Sequence, residues 1–235
     1  MSSAQHSVMV TPELVELVLL HLPMRDLLIT APLVCKWWRD LTLKPTLQRA
    51  LFFEPDNLSL PRIKNPLLAE LFPPFFGSLI DHTASRWSWP GSAKTIMAMP
   101  CSLAPEAFKR KEASWRRMLV SQPPARTMAV SERRHARGGN SQRRAVLEDL
   151  SPLRMGPLYD LTVSLVDRVA ASFRISWRGI DSLYEQAPDN DEDVTLDVMY
   201  TVQCRRVQRN RQIDSKFDCD GREQISVHWG ETVRI

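Results

Sequence analysis

The sequence predicts an α+β fold, in which a small helical unit precedes a larger domain built around a mostly antiparallel sheet. Short apolar segments opened by prolines fill residues 8–53, a pattern typical of short helices. Apolar and polar residues alternate along 194–204, which is the period of a half-buried strand. A chain of 235 residues, 43% of them hydrophobic, has room for a small domain joined to a larger one.

The first predicted helix runs from Pro12 to Leu22. Thr11 is placed to cap it, and Pro12 lacks only an N–H group that the first helical turn does not use. Glu13 favours the positive end of the helix dipole. Its apolar side chains lie on two sides of the helix: Leu14, Val15, Val18, Leu19 and Leu22 on one, Leu17 and Leu20 on the other.

Two further short helices are predicted before residue 45. Pro23 can open the second, which continues into the apolar run 27–29, and Pro32 interrupts the chain again. From Leu33 a third helix would align Val34, Trp38 and Leu41 on one side. We therefore expect three short helices in this unit.

The helical unit has more apolar surface than three short helices can cover among themselves. Some of that surface should contact another protein or the rest of the chain. The adjacent pair Trp37 and Trp38, flanked by Lys36 and Arg39, fits either a core role or a partner contact. Spacing alone does not separate these two roles.

The run VTPELVELVLLHLPMRDLLITAPLVCKWWRDL, residues 10–41, resembles an F-box. The usual pattern is Leu-Pro-x-Glu-Leu, a leucine-rich helix, an Asp-Leu pair and then Val-Cys-Lys-x-Trp-Arg-x-Leu. The matching residues are Glu13, Leu14, Leu19, Leu22, Asp26, Leu27, Val34, Cys35, Lys36, Trp38, Arg39 and Leu41. The opening departs from the pattern, since Val10 and Thr11 replace Leu-Pro and proline follows as Pro12.

Three later segments extend the resemblance over most of the chain. They are NPLLAELFPPFF at 65–76, SWRRMLVSQPP at 114–124 and GPLYDLTVSLV at 156–166. All three are similar to stretches of a group of fungal F-box proteins whose downstream domain has no well-defined activity. The later segments are less specific than the run at 10–41.

The resemblance implies a partner and a role. In F-box proteins the helical unit binds a Skp-type adaptor, which links it to a cullin scaffold and a ubiquitin-conjugating enzyme. The chain would then be a non-catalytic subunit of a ubiquitin ligase that captures an unknown target protein through its C-terminal domain. The adaptor-binding residues implied are Pro12, Glu13, Leu14, Val18, Leu22, Leu27, Leu28, Val34, Cys35 and Trp38. Trp38 would also support the fold of the unit.

The domain organisation follows from composition. The F-box unit covers 8–53, a proline-rich packed connection covers 54–106, and an α+β domain for target recognition covers 107–235. A helix is predicted over Ala107–Ser121, with Trp115 facing inward and Arg116 and Arg117 facing outward.

The C-terminal third carries further strand patterns and one helix. Period-2 alternation recurs in 173–177, with Phe173, Ile175 and Trp177, and in 225–229, with Ile225, Val227 and Trp229. A helix is predicted by the spacing of Leu158, Leu161, Leu165 and Val169.

The arginine-rich segment 131–144 is predicted to be a flexible loop. An alternative function is a basic binding module that contacts RNA or an acidic protein through this loop. The segment has no Phe, Tyr or Trp on which bases could stack, which argues against nucleic acid as its partner.

Other chemistry is not indicated. The five histidines lack a second ligand at helical spacing, and no phosphate-binding loop is present, so no metal, cofactor or catalytic residue is predicted. Cys35 lies inside the adaptor-binding pattern and is not expected to be a nucleophile. The four cysteines are scattered, which favours a reducing compartment. With neither a leader nor a membrane-length apolar run, we expect the cytoplasm or nucleus and no membrane partner.

Overall fold

The structure divides the chain into two compact units, Met1–Leu58 and Ser59–Ile235. It is a computed structural model that describes residues 11–57, 61–77, 110–136, 139–148, 150–166, 171–180, 191–202, 225, 227–230 and 233–234. The described part of the first unit is helical, and the second combines helices with a five-stranded sheet. The predicted α+β class is therefore confirmed.

The first unit is built from short helices that share one aliphatic core. They are α1 (Pro12–Leu20), α2 (Met24–Ile29), α3 (Ala31–Val34), α4 (Lys36–Thr42) and α5 (Pro45–Ala50). The core consists of Val15, Leu19, Leu27, Ala31, Leu41, Leu47 and Leu51. The adjacent Trp37 and Trp38 are both half-buried against this core.

The first unit differs from the sequence prediction in several details. Five short helices occur where three were predicted, and α1 ends at Leu20 rather than at Leu22. The third helix does not run unbroken from Leu33, because Cys35 takes an extended conformation (φ −162°, ψ 169°) and separates α3 from α4. The Cys35 Sγ accepts a hydrogen bond from the Trp38 N–H (3.4 Å) and so caps α4. Thr11 makes no capping hydrogen bond with its side chain.

The second unit contains two sheets and four described helices. The helices are α6 (Pro66–Leu71), α7 (Pro73–Phe76), α8 (Ser114–Arg117) and α9 (Met155–Val166). Strands β1 (Ile63–Lys64) and β2 (Ser121–Gln122) form a small antiparallel pair. The strands of the main sheet are β3 (Met128–Ala136), β4 (Gly139–Leu147), β5 (Ala171–Trp177), β6 (Val194–Val202) and β7 (Val233–Arg234).

The main sheet has the order β5-β6-β3-β4-β7. Its β3 and β6 are parallel, and the other three pairings are antiparallel. This agrees with the predicted mostly antiparallel sheet. Since β3 and β6 are both central, the parallel pair lies inside the sheet rather than at an edge.

An aromatic core lies on one side of the main sheet. Tyr159 of α9 is within 6.0 Å, between ring centroids, of Phe72, Phe75 and Trp115. Phe75 also packs on Phe173 of β5, with centroids 5.2 Å apart. The range 61–77, predicted as a packed connection, therefore contributes aromatic rings to the core of the second unit.

The strands predicted at 173–177 and 194–204 and the helix predicted from Leu158 are confirmed over their described residues. Phe173, Ile175 and Trp177 are buried on one face of β5, and α9 carries the helical pattern that begins at Leu158. Val169 lies outside the described residues. The prediction of a strand at 225–229 is wrong for the described residues there, since none of them is in a strand. The Trp229 ring instead lies against the guanidinium of Arg143, with 3.9 Å between the guanidinium carbon and the ring centroid.

The prediction that 131–144 is a flexible loop is wrong, because most of this segment belongs to the paired strands β3 and β4. Glu132 and Arg143 are directly opposite each other in the register. Glu132 is buried, with 1% of its surface exposed. Its carboxylate accepts hydrogen bonds from Arg143 Nε and from Arg134 Nη2, the latter at 3.2 Å. Pairing with a buried carboxylate allows adjacent arginines to lie within an ordered hairpin.

The helix predicted over Ala107–Ser121 is also wrong for residues 110–121, of which only Ser114–Arg117 is helical. The chain becomes extended at Met118 and enters β2 at Ser121. Arg116, predicted to face outward, is buried and forms a bidentate pair with Asp160 of α9, in which Nη1 to Oδ1 is 3.2 Å. A Cβ atom on Gly156 would lie 3.0 Å from the Arg116 carbonyl oxygen. The absence of a side chain at Gly156 therefore allows α8 and α9 to pack closely.

Asp193, just before β6, joins three separate parts of the second unit. Its carboxylate accepts hydrogen bonds from the N–H groups of Arg126 (2.7 Å) and Thr127 (3.2 Å) and pairs with Arg62 (2.7 Å). Burial raises the pKa of Asp193, but the two N–H donors and Arg62 together hold it below its ordinary value.

We expect Asp193→Ala to destabilise the second unit by about 1–3 kcal/mol, because it removes several hydrogen bonds to a charged group. Because the pKa of Asp193 is lower in the folded chain, its stabilisation is present above about pH 4 and is lost as the pH falls through the folded pKa. Urea denaturation at several pH values measures both effects. Asp191→Ala is the matched control, since its side chain is 97% exposed. Equal losses in both variants, or an unchanged acid dependence in Asp193→Ala, would contradict this role.

Candidate partner-binding surface

Helix α1 has one buried and one exposed apolar side. Val15 and Leu19 are buried in the core of the first unit. Leu14, Leu17 and Val18, at helical spacing on the other side, are 42%, 56% and 49% exposed. The observed sides differ from the predicted ones, because Leu14 and Val18, predicted on the same side as Val15 and Leu19, lie on the exposed side with Leu17.

A second group of exposed aliphatic side chains follows α2. Ile29, Leu33 and Val34 are 52%, 75% and 55% exposed. Pro32 and the break at Cys35 keep α3 short, and α3 buries Ala31 in the core while its last residues lie at the surface. We use the term aliphatic surface for the two groups together, Leu14, Leu17, Val18, Ile29, Leu33 and Val34.

The residues implied by the F-box resemblance fall into three classes of exposure. Exposed are Glu13, Leu14, Val18, Val34 and Cys35; half-buried are Pro12, Leu22, Leu28 and Trp38. Leu27 is 2% exposed and belongs to the core, so it cannot contact a partner directly. Its predicted role in adaptor binding is therefore wrong, and its role is to stabilise the fold. Leu22, Leu28 and Trp38 also pack on the core and present only part of their surface.

Three members of the aliphatic surface, Leu17, Ile29 and Leu33, are not among the residues that the F-box pattern implies. The sequence could indicate that Leu17 is exposed, since Leu17 lies on the second apolar side of the predicted helix. No pattern in the sequence indicates that Ile29 and Leu33 are exposed, because their exposure depends on where α2 ends and α3 begins.

Charged groups of both signs are also exposed in the first unit. Glu13, Lys36, Arg39 and Asp40 are exposed. Glu16 of α1 accepts a hydrogen bond from Lys44 (2.8 Å), which ties α1 to the start of α5. The hydrogen bonds from Lys44 and Thr46 lower the pKa of Glu16 below its ordinary value.

The chemistry that this surface supports is association through apolar contact. No group of three His, Cys, Asp or Glu side chains that could hold a metal ion occurs in the described ranges. None of the described helices is both long and apolar enough to cross a bilayer. Three cysteines (Cys101, Cys204, Cys219) and two histidines (His6, His82) lie outside the described residues.

Comparison with known proteins gives no relative: no family model, no curated protein and no solved structure matches this chain.

Proposed function

We propose that this chain is the substrate-recognition subunit of an SCF-type ubiquitin ligase. Its N-terminal unit binds a Skp-type adaptor, and through it a cullin, by means of the aliphatic surface. The second unit captures a target protein. The chain itself supplies no catalytic group in this role, since ubiquitin transfer belongs to its partners.

The observation that carries the proposal is that the residues matching the F-box pattern divide into a buried group and an exposed group. Leu19, Leu27 and Leu41 are buried and hold the helices together. Leu14, Val18 and Val34 are 42–55% exposed although the unit has a formed core. Each such side chain gains about 1 kcal/mol or more when a partner covers it. Several exposed aliphatic side chains on one small helical unit favour a protein-binding site.

The alternative, a basic module that binds RNA or an acidic protein through 131–144, receives less support. Arg134 and Arg143 pair with Glu132, and Arg144 pairs with Glu192 (2.8 Å). These two carboxylates offset part of the positive charge that would attract a phosphate backbone.

Co-expression with a Skp-type adaptor tests the proposal. We expect the full-length chain and the adaptor to co-elute from size exclusion as a stoichiometric complex, because covering the aliphatic surface removes apolar area from water. Adding a cullin–RING assembly should give a larger complex. A folded chain that stays separate from the adaptor at micromolar concentration would refute the assignment. Co-purified RNA in place of the adaptor would favour the alternative.

A further inference from the structure

A hydrogen-bonded ion pair joins helix α1 to the start of α5 in the first unit. Lys44 Nζ donates to the Glu16 carboxylate at 2.8 Å, and Thr46, in the first turn of α5, supplies a second hydrogen bond to the same carboxylate. The Glu16 side chain is 16% exposed and that of Lys44 is 38% exposed. None of these three residues matches the F-box pattern, and none belongs to the aliphatic surface.

Glu16 lies on the flank of α1 opposite two members of the aliphatic surface. It is two positions from both Leu14 and Val18, and side chains two positions apart on an α-helix point about 160° apart. Val15 and Leu19, the fully buried side chains of α1, lie between these two flanks. Contacts that hold the Glu16 flank therefore determine how the flank with Leu14 and Val18 is presented at the surface.

The buried side chains of α1 restrain its rotation only weakly. Val15 and Leu19 are four positions apart, so they form a single line of apolar contact along a helix of nine residues. Leu20 packs on the same core but is only partly buried. Apolar contact is non-directional, whereas a hydrogen bond between charged groups has a preferred distance and angle. The ion pair therefore supplies a directional restraint that the core does not.

We propose that Glu16 and Lys44 are positioning residues for adaptor binding, because their ion pair holds α1 in the orientation that presents Leu14 and Val18 to the Skp-type adaptor. The inference rests on the proposed function, and it extends the elements on which adaptor binding depends to α5, which follows the F-box run at 10–41. An ion pair at the surface contributes little to the free energy of folding. Its effect on binding can therefore be measured in a chain that stays folded.

Titration calorimetry of the full-length chain with purified adaptor tests the inference. Glu16→Gln and Lys44→Gln each remove one charge of the ion pair, and each should weaken adaptor binding about threefold to tenfold. The double variant should bind no more weakly than the weaker single variant, because both substitutions remove the same contact. Lys44→Arg keeps the charge and a donor, and it should bind within about twofold of the parent.

Glu192→Gln is the matched control, since Arg144 and Glu192 form an ion pair of similar exposure, 38% and 12%, in the second unit. It should leave adaptor binding unchanged. Hydrogen exchange of the free chain is the second readout, and it does not depend on the adaptor. The amides of α1 should exchange faster in Glu16→Gln than in the parent, because the helix has lost its link to α5.

Three results would overturn the inference while leaving the proposed function intact. They are adaptor affinity equal to that of the parent in both Gln variants, unchanged exchange of the α1 amides in Glu16→Gln, and losses of affinity that add in the double variant. Additive losses would mean that each side chain contacts the adaptor by itself. If the parent chain does not bind the adaptor, the proposed function fails and the inference fails with it.

Discussion

The double substitution Leu14→Asp with Val18→Asp is expected to abolish binding of the Skp-type adaptor, with a loss of at least about a hundredfold in affinity. Both side chains are exposed on the same side of α1, so the substitution places two carboxylates in the proposed apolar contact. Burying an unpaired charge there costs several kcal/mol. The fold should persist, because neither side chain belongs to the core of the first unit. Affinity is measured by titration calorimetry with purified adaptor.

Two further variants make this result specific. Ile63→Asp changes an aliphatic side chain of comparable exposure, 47%, in the second unit, and it should leave adaptor binding unchanged. Leu27→Asp puts a charge into the core of the first unit and should unfold that unit. Adaptor binding that survives in a folded Leu14→Asp, Val18→Asp variant would falsify the proposed footprint.

Asp160→Leu is expected to destabilise the second unit by about 3–5 kcal/mol. Arg116 and Asp160 are both about 6% exposed and pair with each other. Removing Asp160 leaves the buried Arg116 guanidinium without its carboxylate, and solvent cannot replace it. Arg116→Met should cause a similar loss by leaving the carboxylate alone. Urea denaturation followed by circular dichroism measures the change, with hydrogen exchange in α9 as the local readout.

The double variant Arg116→Met with Asp160→Leu separates the charge from the packing. If the single variants lose stability through the unpaired charge, the double variant should recover most of it and lie within about 1 kcal/mol of the parent. Losses that simply add in the double variant would show that the side chains matter by their shape, not by their charges.

The strands that the sequence predicted correctly are those with one fully apolar face. In β5 and β6, Phe173, Ile175, Leu196 and Val198 alternate with polar residues, and each is buried. Such a pattern has one stable orientation on a core, and it can be identified without knowledge of the neighbouring strands. Helix α9 was predicted correctly for the same reason, because its apolar residues recur at helical spacing.

The hairpin β3–β4 was missed because its outer half carries charge on both faces. Glu132 and Arg143 face each other across the hairpin, and their pairing depends on the register. Without that register the segment has the composition of a solvated loop. The helix predicted over Ala107–Ser121 ended early because Ser121 pairs with Lys64, more than fifty positions earlier in the chain. Long-range pairing outweighed local helical propensity in this segment.

For the candidate surface, the sequence by itself determined that α1 is apolar on two sides. Only the tertiary structure divided that pattern into core and surface, since it buries Val15 and Leu19 but leaves Leu14 and Val18, predicted on the same side, exposed. Likewise, the sequence determined that 131–144 is rich in arginine, but only the sheet placed Glu132 and Glu192 beside three of those arginines. The physical reason is the same in both cases. Periodicity is a local property of the chain, whereas burial and ion pairing depend on distances between residues far apart in sequence.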